Sequence, residues 1–185
     1  MWVFNFMNYR DEMTAAMTML GKIPNTVFLG QSIKYPGNVM FNTLKNVPMD
    51  KRIELPVFED TQMGMSIGLA IAGYLPISIF PRMDFIICAV NQLVNHMDKI
   101  ADMSHGQFAP KVIIRTLIGT KQPMDSGPQH TGDYHKALAS MLGNVQVVYL
   151  DRPEKVLISY QRAIKNTWPT LLVERGDLYE VTPNR

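Results

Sequence analysis

The stretch 54–73, ELPVFEDTQMGMSIGLAIAG, constrains this chain more than any other. It begins extended, with Leu55, Val57 and Phe58 around Pro56, and turns through Glu59, Asp60 and Thr61 into a helix. Asp60 and Thr61 are good N-cap types, because their side-chain oxygens accept from the orphan amides of a first turn. Gly64, Gly68 and Ala72 then recur at every fourth position and share one helix face. A mid-helix glycine costs roughly 1 kcal/mol relative to alanine, so this face is expected where another backbone comes close. Met63, Ile67 and Ile71 make the other face apolar. A helix apolar on one side and smooth on the other is predicted to be buried on both. Glu59 then stands at the mouth of a buried helix, where a carboxylate is either paired or has a raised pKa.

The rest of the chain alternates short apolar runs with helical patterns. Strands are predicted over 26–30, 75–80, 111–117, 145–150 and 169–173. Helices are predicted over 9–20, with Asn8 as cap and Gly21 as stop, and over 83–103, 133–142 and 153–166, with Pro153 in the first turn of the last. The 83–103 helix is the longest, with Ile86, Val90, Leu93, Met97 and Ile100 as its stripe. Strand, helix and strand joined by short loops indicate a parallel sheet. The expected fold is therefore α/β and three-layered, with about five or six mostly parallel strands and helices on both faces. A length of 185 residues suits a single domain. An apolar lead-in at 2–7 and a polar C-terminal tail at 177–185 flank it.

Composition excludes several function classes. The chain is 46% hydrophobic and 18% charged, which argues against disorder. A net charge of +2 without a dense Lys/Arg run does not indicate a nucleic-acid partner. The sequence has no apolar run long enough for a membrane span and no convincing signal peptide, so the cytoplasm is the expected compartment. Cys88 lies in an apolar run and reads as a buried, reduced thiol. His130 and His135 are five apart with no third ligand nearby, which is a poor zinc pattern, and no metal-ligating residues are expected. Arg82, just before the long helix, reads as a surface salt-bridge partner, with contact to an anion as the alternative. Ser-His-Asp, P-loop and Rossmann glycine patterns are absent from the sequence.

The 54–73 stretch also resembles the pyrimidine-binding domain of thiamine-diphosphate enzymes, above all the beta subunit of 2-oxoacid dehydrogenase first components, of the pyruvate and branched-chain types. Glu59, Gly64, Ile67, Gly68, Ala70, Ala72 and Gly73 fall in register with that family without a gap, and Pro76 lies beyond. The resemblance covers nearly all of this chain but only the first half of a family member, whose C-terminal domain is expected to be absent here. It implies thiamine diphosphate as cofactor, with Glu59 as the carboxyl group that holds a proton at a pyrimidine ring nitrogen. In the same register Phe85 falls where the family places an aromatic ring on the aminopyrimidine; its alternative is the core stripe of the long helix.

The loop over 118–133 carries GPQHTGDYHKAL, which resembles a family motif whose histidine faces the substrate. His130 is thereby implied to hold a substrate carboxylate or move protons, although Thr131 and Gly132 replace the family's Ser-Gln. By the same resemblance a separate subunit holds the diphosphate and its magnesium, in a heterodimer or α2β2 heterotetramer. This chain is then expected to be inactive alone. Self-association through the Gly64, Gly68 and Ala72 face is a further expectation. The implied reaction is decarboxylation of a 2-oxoacid such as pyruvate, with transfer of the acyl or aldehyde unit. Transketolase-like two-carbon transfer between sugars, or a non-catalytic partner keeping the fold, are the alternatives.

Overall fold

The computed structural model describes residues 8–122 and 125–180. Six strands, β1 (Thr26–Gly30), β2 (Arg52–Glu54), β3 (Leu75–Phe80), β4 (Ile113–Ile118), β5 (Gln146–Leu150) and β6 (Thr170–Arg175), form one sheet. Their order is β2-β1-β3-β4-β6-β5, and every neighbouring pair is parallel. The chain steps outward from β1 to β2, then returns across β1 to β3. Ligands on open sheets of this kind bind outside the carboxyl ends of the strands, where the order reverses.

The helices are α1 (Tyr9–Gly21), α2 (Val39–Asn42), α3 (Glu59–Ile71), α4 (Met83–Ile86), α5 (Ile100–Met103), α6 (His135–Met141) and α7 (Pro153–Lys165). Alternation along the strands divides the core in two. Ile77, Ile79, Ile113, Leu117 and Leu172 pack with α1 and α7 on one face. Phe80, Ile114, Leu171 and Val173 pack with α3, α4 and α6 on the other. β3 is buried throughout, which is why it reads as an unbroken apolar run. Asn8 caps α1 as expected, its side chain accepting from the Asp11 amide at 2.9 Å. Pro153 sits in the first turn of α7, with Arg162 and Lys165 in its last.

Several expectations are corrected. Helix α3 starts at Glu59, without a side-chain cap: the Gln62 amide already reaches the Phe58 carbonyl at 2.8 Å. Asp60 instead accepts from Gln92 Nε2 at 3.2 Å. The small-residue face of α3 is not closely packed by other described residues. A Cβ at Gly68 would meet nothing within 4 Å, one at Gly64 would lie 3.6 Å from the Gln92 amide, and Ala72 and Ile71 are exposed. Only the Met63–Ile67 side is buried, because only that side faces the sheet. Cys88 is exposed, since it falls on the outward side of its helical turn.

The long helix over 83–103 is interrupted. After α4 the helical run continues to Met97, where a π-helical segment, Gln92–Met97, ends it. The Asp98 amide reaches back to the Leu93 carbonyl at 3.0 Å. Its buried carboxylate takes the amides of Gly143, Asn144 and Val145 at 2.9, 2.7 and 3.1 Å. The extra residue of the π turn aims Asp98 at the loop before β5. The tail is not free from its start. Residues Gly176–Tyr179 form a 3₁₀ turn whose Tyr179 is buried and bonded to Glu174. The lead-in at 2–7 and the tail over 181–185 lie outside the described residues.

Candidate active site

The site is built at the carboxyl ends of β1, β2, β3 and β4, around the point where strand order reverses. Two charged residues of β2 prepare it. Arg52 is buried and donates to the carbonyls of Ile33 (3.0 Å), Val47 (2.8 Å) and Leu44. Glu54 accepts the amides of Ser32, Ile33 and Lys34 at 2.5, 2.8 and 2.8 Å. Together they fold the loop after β1 back over the sheet edge. Gln31, the first residue of that loop, is thereby held against α3, and its Nε2 donates to Glu59 Oε1 at 3.0 Å.

Glu59 is 7% exposed and opens α3, where the helix dipole favours its charge. Gln62 fixes the helix to β3 through Ser78 Oγ (3.1 Å) and the Ile79 carbonyl (3.0 Å). The second oxygen of Glu59, Oε2, has no hydrogen bond among the described residues. A nearly buried carboxylate with one oxygen steadied by an amide and the other free suits a proton exchange with a ring nitrogen.

Phe85 and His130 form a second pair. Their ring centroids lie 5.6 Å apart at an interplanar angle of 83°, edge to face. Phe85 is half-buried and belongs to neither core, so its alternative as a core-stripe residue is not what the fold shows. The loop carrying His130 is pinned to α4: Asp84 accepts the Gly132 amide at 3.2 Å, and the Met83 sulfur accepts the Tyr134 amide at 3.3 Å. It is also pressed on the end of β4. A Cβ at Gly119 would lie 1.8 Å from the His130 carbonyl oxygen, so only glycine allows this approach. His130 Nδ1 is buried without a partner.

No hydrogen bond joins Glu59 to Phe85 or His130 among the described residues; the sheet brings the two pairs to neighbouring strand ends. His135 faces elsewhere, bonded to Asp133 at 2.5 Å and stacked on Tyr149 at 4.3 Å. Among the described residues no group of three or more His, Cys, Asp or Glu side chains could hold a metal ion. Gln31 was not among the site residues expected from sequence. Its one signal is position, directly after a glycine-ended strand at the carboxyl edge of a parallel sheet. Arg82 does not make the expected salt bridge among the described residues. It is half-buried without an ion-pair partner among the described residues, and burial lowers its pKa, with Asp84 working against that shift.

The chain is an α/β domain with a parallel sheet, a nearly buried carboxylate at the switch point and an aromatic–histidine pair beside it. Residues 4–181 match the family described as transketolase, pyrimidine binding domain, and the chain belongs to that family. Its relatives include "Pyruvate dehydrogenase E1 component subunit beta-3, chloroplastic" of Arabidopsis thaliana, 29% identical over 70% of this chain and 31% of the relative. They also include "2-oxoisovalerate dehydrogenase subunit beta" of Bacillus subtilis, 25% identical over 95% of this chain and 54% of the relative. The chain thus spans about a third to about a half of the curated relatives it matches. Among solved structures, a split-gene transketolase described as an inactive beta4 tetramer superposes with a TM-score of 0.68 at 19% identity, covering 91% of this chain and 51% of the other. Transketolase from Campylobacter jejuni gives 0.71 at 15% identity, covering 91% and 26%. At these identities the structures establish a common fold. No helix among the described residues is long and apolar enough to cross a membrane.

Proposed function

We propose that this chain is the pyrimidine-binding half of a two-component, cytoplasmic thiamine-diphosphate enzyme. It acts on a 2-oxoacid such as pyruvate, with decarboxylation and transfer of the acyl unit. The observation that carries this reading is Glu59, buried at the start of α3 with Oε1 held by Gln31 and Oε2 free. When bound, the cofactor supplies the carbanion chemistry of the reaction. Glu59 holds the proton at the pyrimidine ring nitrogen, and Gln31 fixes the carboxyl plane. Phe85 offers a ring face for stacking. His130, with Nδ1 unpartnered, meets the substrate side.

The partner subunit holds the diphosphate and magnesium, and the active site closes between the two chains, as a heterodimer or α2β2 heterotetramer. The outward face of α3 and its surroundings support such an assembly. Val57 and Phe58, just before α3, are 71% and 62% exposed, and Met65 and Ile71 on α3 and Ile87 after α4 are exposed as well. Apolar surface of this kind marks an interface; self-association through the Gly64, Gly68 and Ala72 face is its other use.

Isothermal titration tests the split site. The pyrimidine end offers stacking and neutral hydrogen bonds of about 1 kcal/mol each, against the charge-assisted contacts of a metal-bridged diphosphate. The chain alone is expected to bind thiamine diphosphate very weakly with or without magnesium, and the correct partner to restore tight, magnesium-dependent binding. Tight, magnesium-dependent binding by the chain alone would refute the division of labour.

A further inference from the structure

Arg82 follows β3 and borders a cavity of about 230 Å³ at the carboxyl ends of β3, β4 and β6. Gly119, Thr120, Ser126, Gly176 and Glu180 also line it. A water takes about 30 Å³ in the liquid, so the cavity has room for a small oxyanion. Nη1 of Arg82 donates to its neighbour's carbonyl, Pro81 O, at 2.7 Å. Nε is enclosed and has no partner, and no carboxylate comes within ion-pair distance among the described residues. The nearest acids are committed elsewhere. Asp84 takes the Gly132 amide, and Glu180 is bonded to Arg10 at 3.0 Å.

The position of Arg82 relates this cation to the rest of the site. A Cβ at Gly119 would touch both the His130 carbonyl and, at 3.5 Å, Arg82 Cδ. The Arg82 side chain therefore passes near the His130 backbone, whereas Glu59 and Gln31 follow β2 and β1, on the other side of the β1–β3 switch. A planar guanidinium with unused donors, partly stripped of water, matches carboxylate and phosphate geometry.

We propose that Arg82 and this cavity form an oxyanion subsite that receives the carboxylate or phosphate group of the small molecule processed at the site. The identity of that molecule rests on the function proposed above; the anion binding does not. Arg82 acts in it as a specificity residue, selecting an anionic substrate or acceptor over a neutral one.

The test uses the purified chain and nitrogen-15 NMR of arginine Nε–H groups, titrated with inorganic phosphate and separately with acetate. One resonance, identified by its loss in Arg82→Gln, should shift saturably with at least one anion. Other backbone amides that follow the same titration should require about tenfold or more anion in Arg82→Gln. Arg82→Lys should retain part of the affinity, and Glu59→Gln all of it. A tighter response to phosphate assigns a phosphorylated ligand, and a tighter response to acetate a carboxylate. No saturable shift with either anion, or an unchanged titration in Arg82→Gln, overturns the subsite. Anion binding in a chain that fails to form a cofactor site with its partner would refute the functional reading alone. Cofactor binding without anion binding would refute the subsite alone.

Discussion

Arg115, within β4, and Arg82, just past β3, are both withdrawn from water, and they differ in what surrounds them. Arg115 and Glu174 are fully buried and face each other across β4 and β6, bonded through Nε at 2.6 Å and Nη2 at 3.1 Å. Thr43 Oγ1 accepts from Nη1 at 3.3 Å, Tyr160 donates to Glu174 at 3.1 Å, and Tyr179 donates to its other oxygen. Burial opposes the charge on Arg115 most strongly, but Glu174, Tyr160 and Tyr179 together outweigh it and raise its pKa, so the guanidinium is held protonated. Arg82 has one backbone carbonyl and an enclosed Nε without an acceptor. The first cluster uses its polar capacity to join α7, the 3₁₀ turn after β6 and the sheet. The second leaves capacity unused at the carboxyl edge of the sheet. In the first cluster the satisfied buried polar groups serve stability.

The largest effect should separate these two arginines. Glu174→Ala strands a buried cation and is expected to cost about 3–5 kcal/mol, measured by urea unfolding. Arg82→Gln, which breaks no ion pair, should leave the midpoint near that of the parent. Equal losses would erase the distinction. A smaller test is Tyr160→Phe, which removes one hydrogen bond to a carboxylate and should cost about 1.5–3 kcal/mol in the same assay.

The cluster also predicts alkaline behaviour. Burial first, and the Glu174 charge with it, raise the pKa values of Tyr9, Tyr160 and Tyr179. The folded chain then keeps these protons where the unfolded chain releases them, near pH 10. Their contribution is full below about pH 10 and is lost as pH rises through the folded values, by up to about 1.4 kcal/mol per pH unit for each tyrosine. Tyr160→Phe should flatten that decline; a decline of unchanged slope would exclude the tyrosine.

The smallest effect concerns the outer face of α3. A Cβ at Gly68 meets nothing within 4 Å among the described residues, and Gly68→Leu replaces a poor helix former. It should leave the fold intact and stabilise the isolated chain by about 0.5–1 kcal/mol, while abolishing co-elution with the partner subunit. A lowered melting temperature would show that this face is packed.

Strand runs such as LPISIF in β3 declare themselves because both sheet faces are covered there, and Asn8 and Pro153 mark helix starts by local chemistry. β2 has only Arg52–Glu54, and its charges are used in the tertiary fold, so no local pattern reveals it. The π turn before Asp98 answers to amides 45–47 residues away. Glu59, Phe85 and His130 were singled out by their motifs, and the structure places them at the carboxyl ends of neighbouring strands. Their supports, Gln31, Glu54 and Asp84, depend on long-range hydrogen bonds that spacing does not encode. The burial of the Met63–Ile67 face of α3 was legible, but the glycine repeat reads equally as an intrachain or an interchain contact.

Glu59→Gln in the reconstituted two-subunit enzyme tests the central claim most directly. The amide can keep a hydrogen bond to Gln31 but cannot exchange a proton with a ring nitrogen. Folding by circular dichroism and assembly by size exclusion should match the parent, while turnover falls by about 10²–10⁴-fold. Turnover within a few-fold of the parent, in a folded and assembled variant, would contradict the assignment of Glu59.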